Sequence, residues 1–228
     1  MKLKQLMAMM AAVTLTGAVA FGQSTQTNIT FNVNQAIPDG DLSGMALSTN
    51  LTLPTLAGSI SAVTVSLNIS GGWNGDLYGY LVRPGGQGFS VLFNRVGASN
   101  NATAFGYGDS GFNVTFSDSS SDNFHYYQNV GGYSLSGSTW APDGRNLDPT
   151  GDPNLFGSTS PSTFLSSFNG YDPNGVWTLF LADLSAGDQA TLVSWSLDIT
   201  SVPEPSTMAL TGVGLAGMML LIRRRTRS

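Results

Sequence analysis

Apolar and polar residues alternate with a period of two through much of this chain, and the alternation is sharpest near its end. In Val176–Asp183, Trp177, Leu179 and Leu181 interleave with Thr178, Phe180 and Ala182. In Val193–Ile199, Val193, Trp195, Leu197 and Ile199 interleave with Ser194, Ser196 and Asp198. Successive side chains of a strand point to opposite faces, so each segment reads as a β-strand with its Trp/Leu/Ile set buried. Asp172-Pro173-Asn174-Gly175 is turn chemistry before the first strand. Ser185-Ala186-Gly187-Asp188-Gln189 lies between the two and predicts a hairpin with a loop longer than two residues. Trp177 and Trp195 are its expected core anchors, each ring able to bury roughly 150–250 Å².

Six earlier strands are expected: Ile29–Val33, Gly44–Leu53, Ile60–Ile69, Leu77–Val82, Phe89–Phe93 and Phe112–Phe116. No long segment carries a helical stripe, and glycine fills 28 of 228 positions, above its usual share of about 7%. Many short strands between Gly/Pro/Asn turns indicate an all-β sandwich or barrel. Ser117 to Ser160 is polar and reads as long loops, with one strand near Phe124–Gln128. There is no internal repeat and no second domain.

The two ends read differently. Lys2 and Lys4 precede an apolar run, Leu6–Ala20, that closes on the small-x-small Ala18-Val19-Ala20. This is the pattern of a secretory signal peptide over 1–20, and about 15 residues fall short of the roughly 20 that span a bilayer. At the far end, Val202-Pro203-Glu204-Pro205-Ser206-Thr207 leads into the apolar Met208–Ile222 and then Arg223-Arg224-Arg225. Prolines there end the last strand. The apolar helix is expected to anchor in the membrane with its arginines cytoplasmic and the domain, 21–201, outside. The tail thus occupies 202–228.

Between those ends the chain carries only Arg83, Arg95 and Arg145 against thirteen aspartates, with neither lysine nor glutamate. Such a surface repels nucleic acid and anionic membrane and suits divalent cations or uncharged polymers. With no cysteine in an exported chain, there is no disulfide scaffold and no thiol chemistry.

Several motifs resemble known families. The run from Asn174 to Ile199, with Asp183, Gly187-Asp188 and Trp195-Ser196-Leu197, resembles the end of the P domain (P/Homo B domain) that follows the catalytic domain of subtilisin-like proprotein convertases. Gly75-Asp76-Leu77 with Pro84-Gly85-Gly86 is similar to that family's GDLxxxLxSPxG segment. Ala36-Ile37-Pro38-Asp39 resembles its opening, and Trp140-Ala141-Pro142-Asp143 its mid-domain turn. The chain departs at Arg83, where the family has Ser, and at Trp73, near where it has His. The resemblance implies a jelly-roll β-sandwich and a non-catalytic role. The tail resembles the PEP-CTERM sorting signal of Gram-negative bacteria, in which Val202, Pro203, Glu204 and Pro205 form an address read by an exosortase-type processing enzyme. That implies membrane attachment through the C-terminal helix before processing. It further implies export through the inner membrane to the cell surface, outer envelope or exopolysaccharide matrix.

The candidate chemistry is sparse. A Ser/His/Asp arrangement needs a histidine. The one present, His125, has no nucleophile signature nearby and reads as an exposed or half-packed loop residue. Zinc is disfavoured by the lack of Cys and the single His. Calcium takes six to eight oxygen ligands, and Asp76, Asp183 and Asp188 fall at strand ends and turns inside the matched motifs. Some P domains bind calcium. The competing reading has these aspartates shaping turns through their own backbone hydrogen bonds. Asp148–Asn154 is a second, weaker oxygen-rich loop. Trp73, Tyr107 and Tyr126 lie outside the strand pattern and suit contact with sugar rings, or else close the ends of the sandwich. The expected function is an exported binding or structural module for extracellular polysaccharide or a surface protein. The alternatives are an accessory domain for a subtilisin-like serine protease, or a hydrolase in its own right.

Overall fold

The computed structural model describes residues 24–53, 58–202 and Gly214. The signal peptide, Pro203, Glu204, Pro205, the Met208–Ile222 anchor and Arg223, Arg224 and Arg225 lie outside the described residues, apart from Gly214. Among the described residues no helix is long and apolar enough to cross a membrane.

The chain is mostly β and forms two sheets that close no barrel. In order the strands are β1 (Thr25–Ala36), β2 (Met45–Leu51), β3 (Ser59–Gly71), β4 (Leu77–Val82), β5 (Phe89–Asn94), β6 (Phe112–Phe116), β7 (Ser136–Trp140), β8 (Gly175–Asp183) and β9 (Ala190–Val202). One sheet runs β1-β9-β3-β6-β7 and the other β2-β8-β4-β5. All pairs are antiparallel except β6–β7.

Side-chain alternation explains the core. Val63, Val65 and Leu67 on β3 stand opposite Ile199, Leu197 and Trp195 on β9. Leu179 and Leu181 on β8 stand opposite Leu81 and Gly79 on β4. These rows from both sheets, with Trp177 and Phe93, belong to one buried cluster. Gly79 is dictated by this packing: a Cβ there would lie 2.4 Å from the Phe93 ring and 2.9 Å from Leu181.

Strand positions follow the sequence pattern, but one pairing does not. The predicted hairpin is absent, because β8 and β9 occupy different sheets. β8 lies between β2 and β4, and β9 between β1 and β3. Leu184–Gln189 crosses between sheets, as Ile37–Gly44 does between β1 and β2. Alternation records which face of a strand is buried and carries nothing about which sheet it joins. Both tryptophans are nevertheless buried. Trp195 stacks on Phe31 of β1, with centroids 4.5 Å apart and an interplanar angle of 22°. Val193, expected inward, is only half-buried, because the ladder shifts between Asn68 and Ile69 and brings Leu192 into the core instead.

The polar middle section also differs from expectation. Phe124–Asn129 is a 3-10 turn instead of a strand, with Phe124 and Tyr127 pointing into the core. Strand β7 and the short helix α1 (Pro153–Ser158), capped by the Asp152 side chain, were not foreseen. Of β7 only Trp140 is buried, which leaves the strand no alternation to be recognised by. Loops between β7 and β8 cover the edge of β5. Val91 N donates to Thr163 Oγ1, Phe89 N to Ser167 Oγ and Asn94 N to Asp143 Oδ2. That edge is therefore closed to pairing with another chain.

Candidate functional site

Both sheet-crossing segments lie side by side at one end of the fold. Ile37 N donates to Ala190 O at 2.9 Å, Asp41 N to Asp183 O at 3.1 Å, and Gln189 Nε2 to Ile37 O at 2.7 Å. The turn Asn74–Asp76 joins them through Leu184 N, which donates to Asp76 O at 2.9 Å. Three aspartates from distant parts of the sequence thereby gather at this corner: Asp39, Asp76 and Asp183.

Asp183 is the most confined. It ends β8 opposite Leu77, in the row that faces the core, and is 1% exposed. Its Oδ2 has no hydrogen-bond partner. Desolvation raises its pKa most, to about 6. Asp39 and then Asp76 push the same way, and amide hydrogen bonds from Ser185 and Ala190 oppose them only in part. Asp76 is raised as well, first by burial, while a Ser185 hydrogen bond and the charge of Arg95 lower it. Arg95 Nη2 stands 3.9 Å from Asp76 Oδ1, too far for a hydrogen bond, and that oxygen is also buried without a hydrogen-bond partner. Asp39 is exposed and accepts from Gly187 N at 3.1 Å. Asp188 is exposed too, and it is not among the charges that raise Asp183. The corner thus gathers Asp39, Asp76 and Asp183, and Asp188 lines the adjoining recess together with Asp76. Among the described residues, no three His, Cys, Asp or Glu side chains already stand in a metal-holding arrangement.

His125 is a correction. It is fully buried, with Nδ1 2.6 Å from Asp143 Oδ2 and Nε2 2.7 Å from the carbonyl of Ala98. Both ring nitrogens therefore have an oxygen partner, and the imidazole is held at each end. Asp143 also accepts from Arg145 Nη1 at 2.9 Å, so the histidine and the arginine share one buried carboxylate. Sequence gave no sign of this, since the partners are 18 and 27 residues away.

The aromatic residues singled out in the sequence differ in their surroundings. Tyr107 is half-buried edge-on to Tyr127 at 4.8 Å, and Tyr126 lies beneath the Arg145 guanidinium at 5.0 Å. Trp73 is 45% exposed. With Phe105, 70% exposed and unnoticed in the sequence, it borders a recess of about 290 Å³ that also includes Asp76, Ser185 and Asp188. Arg83, the departure from the family motif, is buried over the Trp177 ring and donates to the carbonyls of Asp172 and Asn174, both at 2.6 Å. Desolvation lowers its pKa.

Comparison with known proteins defines the class of the chain. Residues 201–225 match the PEP-CTERM protein-sorting motif. Such signals mark exported proteins that are sorted to the surface of Gram-negative cells and processed by an exosortase at the membrane. This chain is therefore a mostly-β exported protein with a C-terminal sorting address. Among solved structures, the serine protease of Aeromonas sobria in complex with the chaperone ORF2 is similar at 18% identity and a TM-score of 0.44, over 80% of this chain and 28% of that one. The same protease alone gives 16% identity and a TM-score of 0.42, over 78% and 27%. The chain spans little more than a quarter of those proteins. No curated protein matches it.

Proposed function

We propose that the chain is a non-catalytic, P-domain-type jelly-roll module that works by binding at the cell surface or in the extracellular matrix, and that calcium stabilises it at the Asp39/Asp76/Asp183 corner. The observation that carries this reading is the buried Asp183 Oδ2, which has no partner although its carboxyl is desolvated and faces like charges. Uncompensated buried carboxylates are costly, and a divalent cation relieves both the desolvation and the repulsion. Asp76 and Asp183 would supply carboxylate oxygens, with Asp39 at the rim. Three motifs that resemble the P domain, each contributing one of these aspartates, meet at this corner, which supports the family reading.

Thermal unfolding of the full chain in calcium and in chelator tests the proposal. At a calcium concentration a hundred times the dissociation constant, binding to the folded state contributes about 2.7 kcal/mol. That corresponds to a rise of roughly 5–10 °C in a domain of this size. Asp183→Asn should abolish the rise. An equal Tm in calcium and chelator would remove calcium from the account.

A further inference from the structure

Phe105 is the most exposed large hydrophobic residue among the described residues, at 70%, and Trp73 beside it is 45% exposed. Both are open to water, yet both sit on backbone held firmly in place. Arg95 Nη2 donates to Ala104 O at 2.9 Å, Gly106 N to Thr103 O at 3.0 Å and Tyr107 N to Val96 O at 2.8 Å, which pins the residues around Phe105. Gly75 N donates to Tyr107 O at 2.8 Å and Asn74 N to Asp109 O at 2.9 Å, which ties that loop to the turn after Trp73. Contact there is so close that a Cβ on Gly75 would lie 2.1 Å from Phe105 O. Two aromatic side chains thus stand on pinned backbone around one recess, and neither packs into the core.

We propose that this recess is a subsite for one ring of a neutral polysaccharide. The walls are aromatic, and a pyranose presents a C–H face that stacks on such rings. The polar lining of Asp76, Asp188 and Ser185 consists of oxygen acceptors, which match sugar hydroxyls as donors. The excess of aspartate over arginine in the domain disfavours an anionic polymer. This inference rests on the reading of the chain as a binding module and names the class of its ligand. It does not require calcium.

Trp140, Trp177 and Trp195 are buried, so Trp73 is the tryptophan that reports on the recess. The full chain is run in native gels containing laminarin, hydroxyethylcellulose or galactomannan, and its tryptophan emission is titrated with the same polymers. Expected are retardation by at least one polymer and a saturable blue shift. Trp73→Ala and Phe105→Ala should each weaken binding about tenfold while leaving the Tm unchanged, since both side chains are exposed. Retardation by none of the three polymers would overturn the proposal, as would retardation undiminished in both variants. A blue shift with tetramethylammonium chloride and none with the polymers would reassign the recess to a cationic head group and equally overturn it. Chelator separates this from the calcium reading, because that reading fails on an unmoved Tm and this one on the two aromatic variants.

Discussion

Asp76 and Asp183 are 107 positions apart in the sequence, yet each holds a buried carboxylate oxygen with no hydrogen-bond partner, and the chain links them by a 2.9 Å hydrogen bond from Leu184 N to Asp76 O. Burial first, and then the charges of Asp39 and Asp76, push the Asp183 carboxyl up, and burial raises Asp76 as well.

Acid should stabilise the metal-free protein in a defined window. A folded-state carboxyl raised from 3.8 to about 6 holds its proton more tightly than the unfolded chain does. Its contribution is fully present below about pH 4 and is lost as pH rises through about 6, a change on the order of 3 kcal/mol. Asp76 acts in the same direction. Urea titrations in chelator from pH 4 to 8 should show stability falling across that window, and Asp183→Asn should flatten the fall. A wild-type profile that rises or stays level there would contradict the assignment.

Much of the fold was legible in the sequence, because a strand buried on one face writes its period into the chain. Leu77–Val82 and Phe112–Phe116 are strands over those same residues. What the period leaves out is which sheet a strand enters, and so the hairpin between Trp177 and Trp195 was expected and a crossing was found. The same crossing sets Asp39 beside Asp183, a neighbour that alternation along a strand does not reveal. His125 and Phe105 were hidden for opposite reasons. The histidine's burial depends on partners remote in sequence, and the phenylalanine's exposure runs against its composition.

Arg83 should behave as a structural clamp on the turn before β8. Its two amino groups hold the carbonyls of Asp172 and Asn174, and a lysine cannot reproduce that fork. Arg83→Lys is expected to lower stability by about 2 kcal/mol, in line with hydrogen bonds to charged groups, as read by urea denaturation.

The buried His125–Asp143 pair should be strongly coupled. Removing either partner leaves a buried polar atom of the other short of a hydrogen bond, at a cost of about 1–3 kcal/mol. A double-mutant cycle with His125→Ala and Asp143→Ala should give an interaction energy above about 1 kcal/mol. Strict additivity would show that the two side chains are independent.

Gly79→Ala should overpack the space between Phe93 and Leu181 and destabilise by about 1–3 kcal/mol. Phe93→Leu in the same chain should recover part of the loss, measured as the midpoint of thermal unfolding. No recovery would place the strain elsewhere.

Calcium titration of the full chain by isothermal calorimetry tests the central claim most directly. The account predicts saturable binding at pH 7.5 that weakens as pH falls below about 6 and disappears in Asp76→Asn and Asp183→Asn. Absence of binding at millimolar calcium, or binding that survives both substitutions, would contradict it.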